Sequence, residues 1–149
     1  MSSSLLVVED GNEYTEFANL FLGDRFAIRS ARSAKEALAQ LDVQMPDALL
    51  IDLRFDRTPV DLLLGNVRET AGRLFGGDEN RALRYLQDQQ GALVLAELRK
   101  AGCDVQAVFV HDFPPRRLRN LQRLYGRVSA VPSFDAVAIG AALLSKEQG

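Results

Sequence analysis

Three acids stand where chemistry would be expected in this chain. Glu9 and Asp10 directly follow the apolar run at residues 5–8, and Asp52 directly follows the run at 48–51. In open parallel α/β sheets, ligands bind outside the carboxyl ends of the strands, near the point where strand order reverses. If the two runs are neighbouring strands, the three carboxylates meet at one rim. Two such charges ~4 Å apart repel by about 4 kcal/mol at an effective dielectric of 20, so the rim requires a cation, a proton or basic neighbours. Oxygen donors of this kind suit a hard divalent ion such as Mg²⁺. The plainer alternative is three solvated acids at strand ends.

Other chemistries are poorly served. Cys103 is the only cysteine and His111 the only histidine, which removes internal disulfides, thiolate clusters and His-rich zinc sites. Glu9, Asp10, Gly11 and Asn12 stand where a glycine-spaced phosphate loop would follow the first strand. No Cys or Ser nucleophile with a His/Asp partner set is evident.

The elements that must hold the acids read as repeated βα units. Apolar runs at 5–8, 48–51, 107–110 and 128–131 are continuous rather than alternating, the pattern of strands covered on both faces, and a weaker run at 26–28 reads as an edge strand. Ser33 with Glu36 forms a capping box for a helix through Leu41. Asn12 is read as the cap of a helix carrying Phe17, Leu20 and Phe21. Pro114 and Pro115 suit the first turn of an Arg-rich helix, and Ser133 is read as the cap of a last helix with Val137, Ile139 and Leu143. Five strands with alternating helices imply a doubly wound parallel sheet.

The stretch between Arg54 and Gln90 is too long for the ~2–6 residues of an ordinary βα loop. It reads as a helical insertion at about residues 55–90, between the third strand and the helix that follows it. Thr58, Pro59 and Asp61 open a helix in which Leu63, Val67, Ala71 and Leu74 recur until Gly76 and Gly77. A second helix follows Asp78 with Leu83 and Leu86. The polar residues 87–90 break its apolar face and leave open whether it continues through Gly91 to Lys100. The apolar positions (Leu63, Val67, Leu74, Leu83, Leu86) are expected to pack on the domain, with dimerisation or partner docking second.

The 149 residues fit one domain over 1–149, and the 47% apolar and 26% charged fractions are globular averages. Ser2, Ser3 and Ser4 lead straight into Leu5 without the basic and long apolar stretches of a secretory signal, so a cytoplasmic location is expected. No run is long enough to cross a bilayer. A net charge of -2 argues against a general grip on nucleic acid. Arg116, Arg117, Arg119, Arg123 and Arg127 nevertheless share one short segment, either a solvated helix face or a docking surface for an acidic partner.

The order Val7-Val8-Glu9-Asp10, followed by Pro46-Asp47-Ala48-Leu49-Leu50-Ile51-Asp52, resembles the receiver domains of bacterial two-component systems. The resemblance covers most of the chain outside the insertion and continues through Gly91, Leu98, Val108 and Val131-Pro132. It implies a flavodoxin-like sheet in the order 2-1-3-4-5. It also implies that Glu9, Asp10 and Asp52 hold Mg²⁺ together with the backbone carbonyl of Arg54, and that Asp52 accepts a phosphoryl group from a histidine kinase. The chain departs from the family at two positions. His111 stands where a Thr or Ser would bond the phosphoryl oxygen, and Val131 stands where a Lys would pair with it.

The implied function is that of an atypical, stand-alone receiver. It signals by contact with a kinase or downstream effector, is not an enzyme, and has phosphorylation-dependent switching weakened or lost. The alternatives are a phosphorylation-competent receiver relaying phosphate through Asp52, a homodimer, and, from another class, a small metal-dependent phosphatase or nucleotide-binding protein. His111 is read either as an imidazolium beside the acids, which would raise its pKa, or as a plain loop histidine.

Overall fold

The strands form where runs of Leu, Val, Ile and Ala can be covered on both faces. The computed structural model describes residues 3–145; Ser2 lies outside them. Strands β1 (Ser3–Val8), β2 (Phe26–Ala31), β3 (Ala48–Ile51), β4 (Gln106–Val110) and β5 (Val128–Val131) make one parallel sheet in the order β2-β1-β3-β4-β5. The expected order and the edge position of β2 both hold. Helices are α1 (Glu13–Phe21), α2 (Ala34–Val43), α3 (Val67–Leu74), α4 (Glu79–Lys100), α5 (Pro115–Tyr125) and α6 (Ala136–Leu144).

Alternate side chains of each strand serve opposite faces. Leu6, Val8, Leu49, Ile51 and Phe109 pack with Ala37, Leu95, Leu98 and Leu121 on the α2–α4–α5 side. Leu5, Val7, Leu50 and Val108 pack with Ala18, Leu22, Ile139 and Leu143 on the α1–α6 side. Each fully buried Leu or Val contributes ~1.5–3 kcal/mol, so the two layers together hold the sheet.

Local signals were read correctly at α2, where Ser33 Oγ accepts from the Glu36 amide at 3.2 Å, and at α5, which starts at Pro115. Two caps are corrected. Asn12 occupies the N-cap position of α1, but its Oδ1 accepts from Arg32 Nη2 at 2.6 Å and no cap bond forms. The cap of α6 is Asp135, whose Oδ1 accepts from the Ala138 amide at 3.1 Å, because Ser133 lies too far from the first turn.

The segment read as an insertion also differs from expectation. Only a 3-10 turn, Val60–Leu62, follows Thr58 and Pro59. Gly65, at φ 95°, then redirects the chain, and α3 begins at Val67 behind the Asn66 cap. Leu63, Ala71 and Leu86 are buried, whereas Leu74 is 57% exposed and does not pack on the domain. Helix α4 runs unbroken for 22 residues straight through the polar stretch.

That stretch is a docking point rather than a break. Gln90, 1% exposed, accepts from the Leu64 amide at 2.6 Å and donates to the Leu64 and Leu86 carbonyls, both at 3.2 Å. Beside it, the Gly91 amide donates to Leu53 O and the Phe55 amide to Gln87 O, both at 2.9 Å. The loop leaving β3 is thereby stitched to the middle of α4.

At the opposite pole, the Arg99 guanidinium donates to the carbonyls of Cys103, Val105, Tyr125 and Arg127 at 2.7–3.1 Å. It joins the segments entering β4 and β5. Among the described residues no helix is long and apolar enough to cross a membrane.

Candidate functional site

Strand β1 sits between β2 and β3, so the order reverses beside it. Val8 pairs with Ile51, and the Asp52 amide donates to Val8 O at 2.9 Å. Glu9, Asp10 and Asp52 therefore leave the sheet at the same edge, as the spacing predicted.

Their side chains do not form one cluster. Glu9, 1% exposed, turns under the first turn of α1. Its Oε1 accepts from the Tyr14 amide at 3.0 Å, and its Oε2 accepts from the Thr15 amide and hydroxyl, both at 2.7 Å. An anion at a helix N-terminus satisfies amides that lack intrahelical partners and complements the dipole. Glu9 is thus the cap that Asn12 was expected to be. Three donors occupy a group with about four lone-pair sites, which leaves little for a metal. Glu9→Gln, which presents an NH₂ to these donors, is expected to cost about 1 kcal/mol in metal-free buffer, read by urea denaturation; unchanged stability would refute the capping role.

Asp10 and Asp52 remain at the mouth. Asp10 Oδ2 accepts from the Arg57 amide at 2.7 Å. Burial pushes its pKa up, and the Arg57 amide and charge oppose this. Burial also drives Asp52 up to about 6; the Arg54 amide bond to its Oδ1 (3.2 Å) pulls the other way, while the charges of Asp10, Glu9 and Asp56 add to the rise. Arg54 touches the acid through its amide, and its side chain lies 3.9 Å from Asp88.

Sequence reasoning missed two residues here. Arg57, from the loop after β3, donates to Glu13 Oε2 at 2.9 Å and lies across Gly11, where a Cβ would stand 2.6 Å from its Nη1. Tyr14 donates from its hydroxyl to Val110 O at 3.2 Å, and its ring meets Phe134 edge-on at 4.9 Å. Burial, followed by the charges of Asp52 and Glu9, lifts the phenol well above its ordinary range, so it stays protonated. Its partner lies 96 residues away in the chain, beyond any local pattern.

The reading of His111 as an imidazolium beside the acids is overturned. Its ring meets Phe113 edge-on at 4.6 Å, and burial, followed by the Arg117 and Arg54 charges, lowers its pKa. Val131 is 7% exposed and belongs to the α1–α6 core layer. Arg116, Arg119, Arg123 and Arg127 are exposed, whereas Arg117 lies over the Phe113 ring at 5.1 Å and bonds Gln89 of α4.

No protein-family model matches the chain, and no curated protein matches it. Solved structures do. NtrX from Brucella abortus aligns at 17% identity and TM-score 0.62 over 97% of this chain but only 27% of its own. A two-component response regulator from Clostridium difficile aligns at 11% identity and TM-score 0.63, over 97% of this chain and 98% of that one. The receiver domain of the Francisella response regulator 1452 aligns at 15% identity and TM-score 0.58, over 93% of each.

The chain has the response-regulator receiver fold. Within this fold, α3 and the first half of α4 lie between β3 and the sheet-packed half of α4, His111 directly follows β4, and Val131 ends β5.

Among the described residues, no three acidic, His or Cys side chains gather as a metal-ligand group. The expected three-carboxylate set is therefore reduced to Asp10 and Asp52, with Glu9 withdrawn. Two carboxylates completed by water still suit Mg²⁺, which commonly retains several waters; the raised pKa of Asp52 comes first from burial and only then from the neighbouring acids.

Proposed function

We propose that the chain is an atypical receiver module of two-component signalling. It acts by contact with another protein, and the usual phosphorylation-dependent switch is weakened or lost. The observation that carries this reading is at the ends of β4 and β5, where His111 faces Phe113 and Val131 enters the core. A group on Asp52 therefore has neither a hydroxyl nor a cation there to pull, and the surface beyond those strands receives no signal from it. The contact surface is the α5 arginine face. Arg116, Arg119 and Arg123 are exposed and have no acid partner among the described residues, so they fit an acidic surface on a kinase or effector.

A second reading, phosphoryl uptake at Asp52, is favoured by the acid pair itself. Asp10 and Asp52 would hold Mg²⁺, which when bound supplies the charge stabilisation for phosphoryl transfer. Asp52 provides the oxygen nucleophile, ionised above a pH of about 6, and the Arg54 amide orients it.

One experiment addresses both readings: incubation with Mg²⁺ and acetyl phosphate, followed by intact mass and hydrogen exchange. A phosphoryl mass on the wild type that is absent from Asp52→Ala supports uptake, and its absence from the wild type overturns it. Exchange over α5 and β5 is expected to stay constant throughout; a change there on phosphorylation would refute the loss of switching.

A further inference from the structure

Tyr14 reaches the acidic rim from a direction that neither β4 nor β5 serves. Its hydroxyl meets the carbonyl of Val110, the last residue of β4. The β3–β4 register pairs Ile51 with Phe109, so the next pair along is Asp52 beside Val110. The phenol oxygen thus lies at the Val110 carbonyl and close enough to the Asp52 carboxylate to interact with it. Two features hold it there: the Tyr14 amide is bound by the Glu9 carboxylate at 3.0 Å, and the ring is packed edge-on against Phe134 at 4.9 Å. The hydroxyl's own bond, at 3.2 Å, is long for O–H···O contacts, which centre on about 2.7–2.8 Å. Little is lost if it turns to a better acceptor.

We propose that the Tyr14 hydroxyl is the hydrogen-bond donor to a phosphoryl oxygen on Asp52, turning from the Val110 carbonyl when that group arrives. The inference rests on the reading of Asp52 as a phosphoacceptor. In the transfer from acetyl phosphate, the bond from phosphorus to the acetate oxygen breaks and acetate departs with the electron pair. An Asp52 carboxylate oxygen forms the new bond to phosphorus. Tyr14 keeps its proton and only shares it with a phosphoryl oxygen, where a donor already fixed in place needs no reorganisation as charge develops. The movement would pass to Phe134, in the loop between β5 and α6, and to Phe17 of α1, whose ring lies 4.9 Å from Phe134.

The test compares wild type, Tyr14→Phe and Asp52→Ala with Mg²⁺ and acetyl phosphate, by intact mass and tyrosine fluorescence. The chain has three tyrosines and no tryptophan, so the emission reports directly on them. Phe keeps the ring against Phe134, and the unfolding midpoint of the unloaded variant is expected to match wild type. Phosphorylation of Tyr14→Phe is expected to be about ten-fold slower, the effect of losing one hydrogen bond to a charged oxygen. Wild-type emission is expected to change on phosphorylation, with no change in Asp52→Ala. Equal rates in wild type and Tyr14→Phe, or wild-type emission that ignores phosphorylation, would overturn the role of Tyr14 and leave Asp52 as acceptor. A wild type that gains no phosphoryl mass overturns both.

Discussion

Gly91→Ala is expected to destabilise the protein by about 3 kcal/mol, at the upper end of the cost of forcing atoms into a packed interior. A Cβ on this residue would stand 2.2 Å from the Asp52 carbonyl oxygen and 2.8 Å from Leu53 Cα. Both are main-chain atoms just beyond β3, held by the hydrogen bonds from the Asp52 amide to Val8 O and from the Gly91 amide to Leu53 O, so no side chain can swing aside. Helix α4 would have to lift off the end of β3, taking the Phe55–Gln87 bond with it. Urea denaturation measures the loss; a change below about 1 kcal/mol would mean that the contact yields easily.

Asp52→Asn is expected to act in the other direction. The ordinary value for Asp52 is 3.8, and the fold raises it to about 6. Between these values the folded protein holds a proton that the unfolded chain has released, so stability falls as pH rises through the window and levels off above it. That gap corresponds to at most about 3 kcal/mol, and screening of a partly open carboxyl reduces it to about 2 kcal/mol. The amide has the same shape and no charge. At pH 7.5 the variant should be more stable than wild type by about 2 kcal/mol, and the slope between pH 4 and 6 should flatten. Denaturation midpoints across this range decide the matter, and an unchanged slope would show that Asp52 titrates normally.

Much of the frame was legible because both faces of each central strand are covered. Runs such as Leu5 to Val8 and Ala48 to Ile51 then carry no polar alternation and announce parallel strands, and the acids that follow them mark the carboxyl edge. What was not legible depended on side-chain direction. Glu9 has the right position for a metal ligand, but free amides of α1 lie beside it, and these claim its carboxylate. Residues 87–90 resembled a break because a pattern of polarity cannot separate a solvated glutamine from Gln90, buried with its amide group satisfied by Leu64 and Leu86. The helix expected after Pro59 failed for a local reason, the left-handed turn at Gly65. Tyr14 and Arg57 were invisible because their partners come from distant segments.

The Arg99 guanidinium binds carbonyls on the approaches to β4 and β5, at the end of the sheet remote from the acids. Those two approaches share a single rivet. The starts of β4 and β5 are thereby fixed to one another, so any displacement of either strand would be smallest at this pole and free to grow only towards the opposite one.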